Sequence, residues 1–451
     1  MEPIRILTLC PLALLQPSFA TRFCRPFSLL PSIYQTLEAS SLKQVIRSRY
    51  YMNTIKHSPL RSIDFPVWPL FEADEIAAVT EVLQSGKVNY WTGNEARQFE
   101  REYAEYLGVN HTIALHNGTL ALELALYAFG IGSGDEVITT ARTFIASASA
   151  AVMRGCIPVI ADVDPVTQNI TAETIRPLIT EKTRAIIPVH LAGWPCDMDP
   201  IMQLANEHNL IVIEDCAQAH GAFYKGRPVG SIGHAGAFSF CQDKIMTTGG
   251  EGGLLALNDT EIWKKAWAYK DHGKSYDAVY NREHAPGFRW LHDSFGTNWR
   301  MLEVQAAIGR LQLRKLPDWI ERRRANASVL TERLGKHPAL RLTLPDADIS
   351  HSYYKYYVFV RSELLADGWN RDRIMNAITL QGVPCFSGSC SEIYLEKAFS
   401  NAGYGPQERL PVAQELGDTS LMFLVHPTMS ETDMHRIADI VDMVMGQAQK
   451  L

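Results

Sequence analysis

The chain of 451 residues lacks the marks of several large protein classes. It has no excess of one charge: 43 lysines and arginines stand against 49 aspartates and glutamates, interleaved, for a net charge of -6. A surface that neutralises nucleic-acid phosphates is therefore not expected, although a local pocket for a phosphorylated small molecule stays open. It has few cysteines: Cys10, Cys24, Cys156, Cys196, Cys216, Cys241, Cys385 and Cys390 lie scattered. None forms a Cys-x-x-Cys pair or a Cys-x-x-His set, so we expect inert, reduced thiols, no disulfide scaffold and no metal site. No apolar run is long enough for a membrane span, so no membrane partner is expected. There is no internal repeat and no low-complexity tract. No Gly-x-Gly-x-x-Gly follows the first expected strand, which removes the main signal of a dinucleotide-binding fold. What is there is globular and soluble in composition, 46% hydrophobic and 20% charged. The length suits two or three domains and a large core.

The first fifty residues differ from the rest. "MEPIRILTLCPLALLQPSFATRF" has an early arginine, an apolar run and a small-residue end at Ser18-Phe19-Ala20, the outline of a signal peptide. Pro11 and Pro17 interrupt it. Three readings compete: a secretion signal, a disordered extension, and upstream sequence read from a start codon placed too early. Met52 opens "MNTIKHSPLRSIDFPVWPLF", which reads as a natural beginning. We expect residues 1–51 to be a non-native or disordered extension.

From Ile76 to Leu107 the pattern is amphipathic helix, polar turn, helix. Short apolar runs then alternate with helical stretches: "TIALHN", "EVITTA", "IPVIADV", "AIIPVH", "LIVIED", "AGAFSF" and "GGLLAL". Most are continuously hydrophobic, as strands covered on both faces are. An α/β fold follows, with a mostly parallel sheet between helices. The pattern changes after Arg314. A charged helix, "YYKYYVFVR", "RDRIMNAITLQG" and "ETDMHRIADIVDMVMG" suggest a smaller α+β domain. We expect an N-terminal arm and large domain over 52–314 and a small domain over 315–451.

Ligands in such sheets bind beyond the carboxyl ends of the strands. Past "TIALH", Asn117-Gly118-Thr119 opens a helix; Gly118 permits a tight turn, Thr119 can cap, and the free N–H groups suit a phosphate. The other reading is a plain helix cap. Past "EVITTA", Phe144 can stack on a flat ligand or fill the core. Past "LIVI", Asp215 can hold a protonated ring nitrogen or cap a helix. Past "AGAFSF" comes Lys244, in "FSFCQDKIMTTGGEGGLL". It precedes its glycines, so it does not fit the phosphate-loop pattern. It is either a solvated charge or an amine nucleophile toward an aldehyde. Together Gly118, Thr119, Phe144, Asp215 and Lys244 would supply a phosphate anchor, a ring stacker, a ring-nitrogen partner and a Schiff-base lysine. Those are the four needs of pyridoxal 5'-phosphate.

At these residues the sequence resembles the DegT/DnrJ/StrS family of sugar aminotransferases, which have the aspartate-aminotransferase fold (fold type I). The resemblance runs from about Pro69 to the C-terminus. It is carried in order by "NGTLALELAL", "GDEVITTARTFIASASA", "VHLAGWPCDM", "IEDCAQAHGA", "FSFCQDKIMTTGGEGG" and "GTNWRM". The resemblance implies that Lys244 binds the cofactor covalently and that Asp215 partners its ring nitrogen. It implies Gln218 near the phenolic oxygen, Gly118, Thr119 and Ser239 on the phosphate, and Phe144 on the ring. Asn298 would reach the phosphate from a neighbouring subunit, so a homodimer with shared active sites is implied. The implied reaction moves an amino group from an amino acid, glutamate in most of the family, to a nucleotide-linked keto-deoxy sugar. Amino-sugar or polysaccharide biosynthesis in the cytoplasm would be its setting.

Two features depart from the family pattern, both on the sugar side. Many relatives carry a histidine in a Pro-x-His segment of the small domain; here "GVPCFSGSCSEIYLEKAF" has none. The stretch "KSYDAVYNREHAPGFRWLHDSF" is longer than usual. It and "HSYYKYYVF" can face the sugar nucleotide or belong to the core. A dehydratase branch replaces the aldehyde-binding lysine with histidine, and Lys244 disfavours it. The remaining alternatives are transamination of a cyclitol or another ketone, and a cofactor-binding regulator without turnover.

Overall fold

The computed structural model describes residues 65–450, so the extension expected over 1–51 lies outside the described residues. The seven apolar runs all become strands. They are β1 (His111–Leu115), β2 (Glu136–Thr140), β3 (Ile157–Ala161), β4 (Thr183–Ile187), β5 (Ile211–Asp215), β8 (Ala235–Ser239) and β9 (Gly253–Leu257). A hairpin of β6 (Phe223–Tyr224) and β7 (Arg227–Pro228) lies between β5 and β8. The main sheet has the order β1-β9-β8-β5-β4-β2-β3. β9 alone runs against its neighbours, and the other pairs formed by β2, β3, β4, β5 and β8 are parallel.

The continuous hydrophobic runs are explained by cover on both faces. Ile138, Ile186 and Val212 pack on one side with Ile201 and Leu204 of the helix Met198–His208. Their chain neighbours Val137, Ile187 and Ile213 pack on the other with Leu122 and Ala125 of the helix Gly118–Ala128. Strand side chains alternate between faces, so both parities must be apolar. Each large aliphatic side chain buried in this way contributes about 1.5–3 kcal/mol.

The second sheet consists of β10 (Leu340–Leu342), β12 (Tyr356–Val360), β13 (Cys385–Phe386) and β14 (Ser420–Phe423), in the antiparallel order β10-β12-β14-β13. The short β11 (Ile349–Ser350) pairs with β6. Val358, Leu421 and Phe423 pack against Ile374 and Ile378 of one helix and Ile437 and Val441 of another. A 32-residue helix, Glu303–Leu334, links the two sheets. It places Leu316 and Ile320 in a core with Phe99 and Phe240, and Leu330 and Leu334 in the core of the small sheet. The change of pattern read after Arg314 falls inside this helix, which also runs through Pro317. Among the described residues no helix is long and apolar enough to cross a membrane.

Candidate active site

The carboxyl ends of the large sheet's strands form one wall of a cavity of about 660 Å3. Gly118, Thr119, Phe144, Asp215, Gln218, Ser239 and Lys244 all line it. Asn298 does not; it is exposed, and its backbone bridges Asp271.

Asn117, rather than Thr119, caps the helix Gly118–Ala128: its side chain accepts from the Leu120 N–H at 3.0 Å. The N–H groups of Gly118 and Thr119 lie in that first turn, which has no intrahelical acceptors for them. Gly118 has no left-handed backbone to accommodate. Its requirement is space, because a Cβ there would lie 2.6 Å from the Ser239 Cβ. The helix start and the end of β8 thus meet closely enough to form one anion cradle.

Two adjacent acids end β5 and have separate fates. Glu214 faces away from the cavity and accepts from the N–H groups of Gly230, Ile232 and Gly233 at 2.6–2.8 Å. Its other contact is the buried His190 ring, 3.0 Å away. The remaining nitrogen of that ring accepts from the Cys196 N–H, so Glu214, His190 and Cys216 form a closed structural cluster. Asp215 faces the cavity. One oxygen accepts from the Ser147 hydroxyl at 2.8 Å, and the other from the Ala217 N–H at 3.1 Å. No helix begins there, so the capping alternative for Asp215 fails. Burial pushes its carboxyl above the ordinary value, with Ser147, the Ala217 N–H and Lys244 pulling the other way.

Lys244 sits on the connection between β8 and β9. Its carbonyl accepts from the Trp68 indole N–H at 2.8 Å, which anchors the turn. Its Nζ lies 3.8 Å from Asp243 and 5.1 Å from the centre of the Tyr354 ring. The side chain is mostly buried, so the solvated-charge reading fails. Gly249 and Gly250, in the turn after it, have φ of 87° and 122°, which side chains beyond glycine rarely adopt. Phe144 is 67% exposed, so the core reading fails for it too. Gln218 accepts from the Ala192 N–H through its carbonyl oxygen, which leaves its amide N–H groups to donate.

The residues fit pyridoxal phosphate. A cradle that a single Cβ would fill, a buried carboxyl aimed at the cavity and a largely buried amine are the donor set that a phosphate, a ring nitrogen and an aldehyde require.

The opposite wall comes from the two segments read as facing the sugar, "HSYYKYYVF" and "GVPCFSGSCSEIYLEKAF", without a role for any one of their residues. It comprises Tyr354, Lys355 and Tyr357 around the start of β12, and Gly388, Ser389 and Cys390 beside β13. The Tyr354 hydroxyl bonds Asp243, whose carboxyl lies below its ordinary value although burial opposes this; Lys244 and that hydroxyl prevail. Burial lowers Lys355 to about 8. Its one sequence signal was a lysine placed inside an aromatic run. Cys390 and its neighbours occupy the segment that lacks the relatives' histidine. The long stretch 274–295 is divided: Ala278 is buried and Tyr276 and Val279 pack on a core, whereas Phe288, Trp290 and Phe295 are 78%, 77% and 97% exposed, and none of these three lines this cavity.

A model of the DegT/DnrJ/EryC1/StrS aminotransferase family matches residues 69–442. GDP-perosamine synthase of Caulobacter vibrioides is 36% identical over 353 residues, covering 77% of this chain and 89% of that protein. The dTDP-3-amino-3,6-dideoxy-alpha-D-galactopyranose transaminase of Aneurinibacillus thermoaerophilus is 34% identical over 367 residues, 81% of this chain and 93% of that one. Among solved structures, an aminotransferase from Psychrobacter cryohalolentis is 58% identical with a TM-score of 0.84, covering 85% of this chain and 99% of that chain.

Proposed function

The chain belongs to the DegT/DnrJ/EryC1/StrS aminotransferase family, and from that premise we propose that it carries an amino group from an amino acid, glutamate in the first instance, to a nucleotide-linked keto-deoxy sugar. It is a pyridoxal-phosphate-dependent aminotransferase. The observation that carries the residue roles is the single cavity wall holding Lys244, Asp215 and the Gly118–Thr119 helix start. The names of the two curated relatives support the nucleotide-sugar class and an amino-sugar product.

When bound, pyridoxal phosphate supplies an aldehyde for an amine and a protonated ring that takes up electron density. The Gly118 and Thr119 N–H groups and the Ser239 hydroxyl bind its phosphate. Asp215 holds the proton on the ring nitrogen. Its buried carboxylate needs a cationic partner, and Ser147 fixes the direction in which it points. Gln218 donates to the phenolic oxygen, and Phe144 covers one ring face. Lys244 would hold the group through its aldehyde and would be released by the amine of the donor. Once free, its Nζ would be the base that takes the proton from the donor's Cα and gives it back in the course of the transfer. A second half-reaction reverses these moves on the keto sugar, so ping-pong kinetics are expected.

We read the protein as a homodimer with shared sites. The exposure of Asn298 on its own chain and the exposed aromatics of 274–295 support this. Mixing inactive Lys244→Ala and Asn298→Ala proteins, with subunit exchange, should restore activity, since one site of each mixed dimer is intact. Six free cysteines among the described residues support a cytoplasmic setting.

The visible absorption spectrum tests the main reading. The lysine-bound cofactor should give a yellow band that glutamate bleaches and a nucleotide-linked keto sugar restores. GDP- and dTDP-linked keto sugars should be run side by side. A band indifferent to glutamate would remove the donor assignment, and no band after adding pyridoxal phosphate would remove the residue roles.

A further inference from the structure

We propose that Lys355 is the anion receptor of the active-site cavity and seats a carboxylate of the amino donor. The inference rests on the aminotransferase reading above.

Among the described residues, the cavity wall carries two cationic side chains, Lys244 and Lys355. Lys244 is committed to the cofactor. The guanidiniums nearby are committed to protein. Arg142 is fully buried and donates to Gln168, Ser391 and Ser420. Arg323, also buried, is directed at the carbonyls of Tyr353 and Tyr354. The Lys355 ammonium makes no hydrogen bond and no ion pair with any described residue, Asp243 acting on it only from a distance; its Nζ lies 4.5 Å from the centre of the Tyr354 ring. That same ring lies 5.1 Å from the Lys244 Nζ, so both amines lie against one aromatic ring.

An amino-acid donor brings a carboxylate together with its amine. Within a largely enclosed site that charge requires a counter-charge or hydrogen-bond donors. The donor's amine must reach the carbon that Lys244 holds, and its carboxylate must then lie within a few bonds of that carbon. Lys355 is the cation in that neighbourhood without an ion-pair partner, and its ammonium is freed when the keto acid departs.

The surroundings set the pH at which this receptor works. Asp243 and Lys244 face it from the turn after β8, Arg323 from the long helix, His426 from the end of β14, and Tyr354 from its own segment. Burial lowers the Lys355 ammonium to about 8, with Arg323 and Lys244 in the same direction and Asp243 opposing. Burial holds His426 down at about 3, so it stays neutral as Lys355 titrates.

The experiment compares holoenzymes of wild type, Lys355→Met and Lys355→Arg. Titration calorimetry with succinate, an unreactive dicarboxylate, should show binding to wild type and Lys355→Arg. Lys355→Met should bind about 10- to 100-fold more weakly, the effect of losing one charge-assisted contact. In stopped-flow donor half-reactions, the glutamate concentration for half-maximal rate should rise by a similar factor in Lys355→Met, while the limiting rate changes little. That concentration should climb in wild type above about pH 8 and stay flat in Lys355→Met. Equal succinate affinity in wild type and Lys355→Met overturns the proposal. So does a loss confined to the reverse half-reaction with the amino-sugar product, which would assign Lys355 to the nucleotide phosphates. If wild type fails to react with glutamate at all, the function reading falls, and the succinate titration still decides whether Lys355 receives a carboxylate.

Discussion

The two walls of the cavity are built on different principles. The wall at the ends of β1, β5 and β8 is closed in hydrogen bonds: Asp215 has two protein partners, and Glu214 behind it has four. The wall from the small sheet is open. Lys355 has no polar partner among the described residues, Cys390 is exposed, and the segment 388–390 is held to the large sheet through a bond from the Thr143 N–H to the Cys390 carbonyl at 3.1 Å. A rigid strand-end wall suits a ligand that every family member shares. A loop wall with unused polar groups suits a substrate that differs between members.

That contrast can be broken from either side. Lys244→Ala should have the largest effect, a loss of activity of about 10⁴-fold or more with the visible band gone and circular dichroism unchanged. Substantial activity in that protein would remove the covalent role.

Asp215→Asn should lower turnover by about 10²- to 10⁴-fold. Its stability effect should go the other way. Burial raises the Asp215 carboxyl in the fold, so the folded protein favours the neutral form more than the unfolded chain does. That contribution is complete below the ordinary carboxylate value and is lost as pH rises through the raised one. At neutral pH the cofactor-free Asp215→Asn protein should therefore melt at or above the wild-type temperature, and a clear fall would contradict the reading that burial outweighs the partners of the Asp215 carboxylate.

Ser147→Ala should cost about 10-fold, the worth of one hydrogen bond to a charged group. It also removes a group that holds the Asp215 carboxyl down, so the acidic limb of the pH–rate profile should move to higher pH. The smallest effect is expected from Phe288→Ala with Trp290→Ala. Donor half-reactions should be unchanged and the KM for the nucleotide sugar should rise a few-fold, as for exposed stacking groups. Unchanged KM would separate the 274–295 stretch from the sugar side.

The closed wall was readable in advance because it obeys local rules. Each of its residues ends an apolar run or follows one by a few positions, and the seven runs are strands of one sheet. Some details at the same places were misread. Asn117 caps the helix for which Thr119 is the expected cap, because Asn117 holds the extended N-cap position three residues before the Leu120 N–H, while Thr119 lies inside the first turn. Ser147 was passed over because a serine in "IASASA" has no signal until the third dimension sets it beside Asp215. The open wall left weaker traces. Lys355 and Gly388–Cys390 come from segments that follow no periodic rule, and they reach the cavity because the small sheet folds back over the large one.

The amino-acid sequence by itself determined the alternation of strands and helices and the order of cofactor-side residues along the chain. It could do so because burial on both faces of a sheet demands continuous apolar runs, and turns at strand ends demand glycine and capping groups. Tertiary structure alone decided which of two adjacent acids faces the cavity. It alone set Gly118 against Ser239 and left Lys355 unpaired beside Lys244. The last two outcomes depend on residues more than a hundred positions apart, and the packing of whole layers sets such distances where local patterns do not.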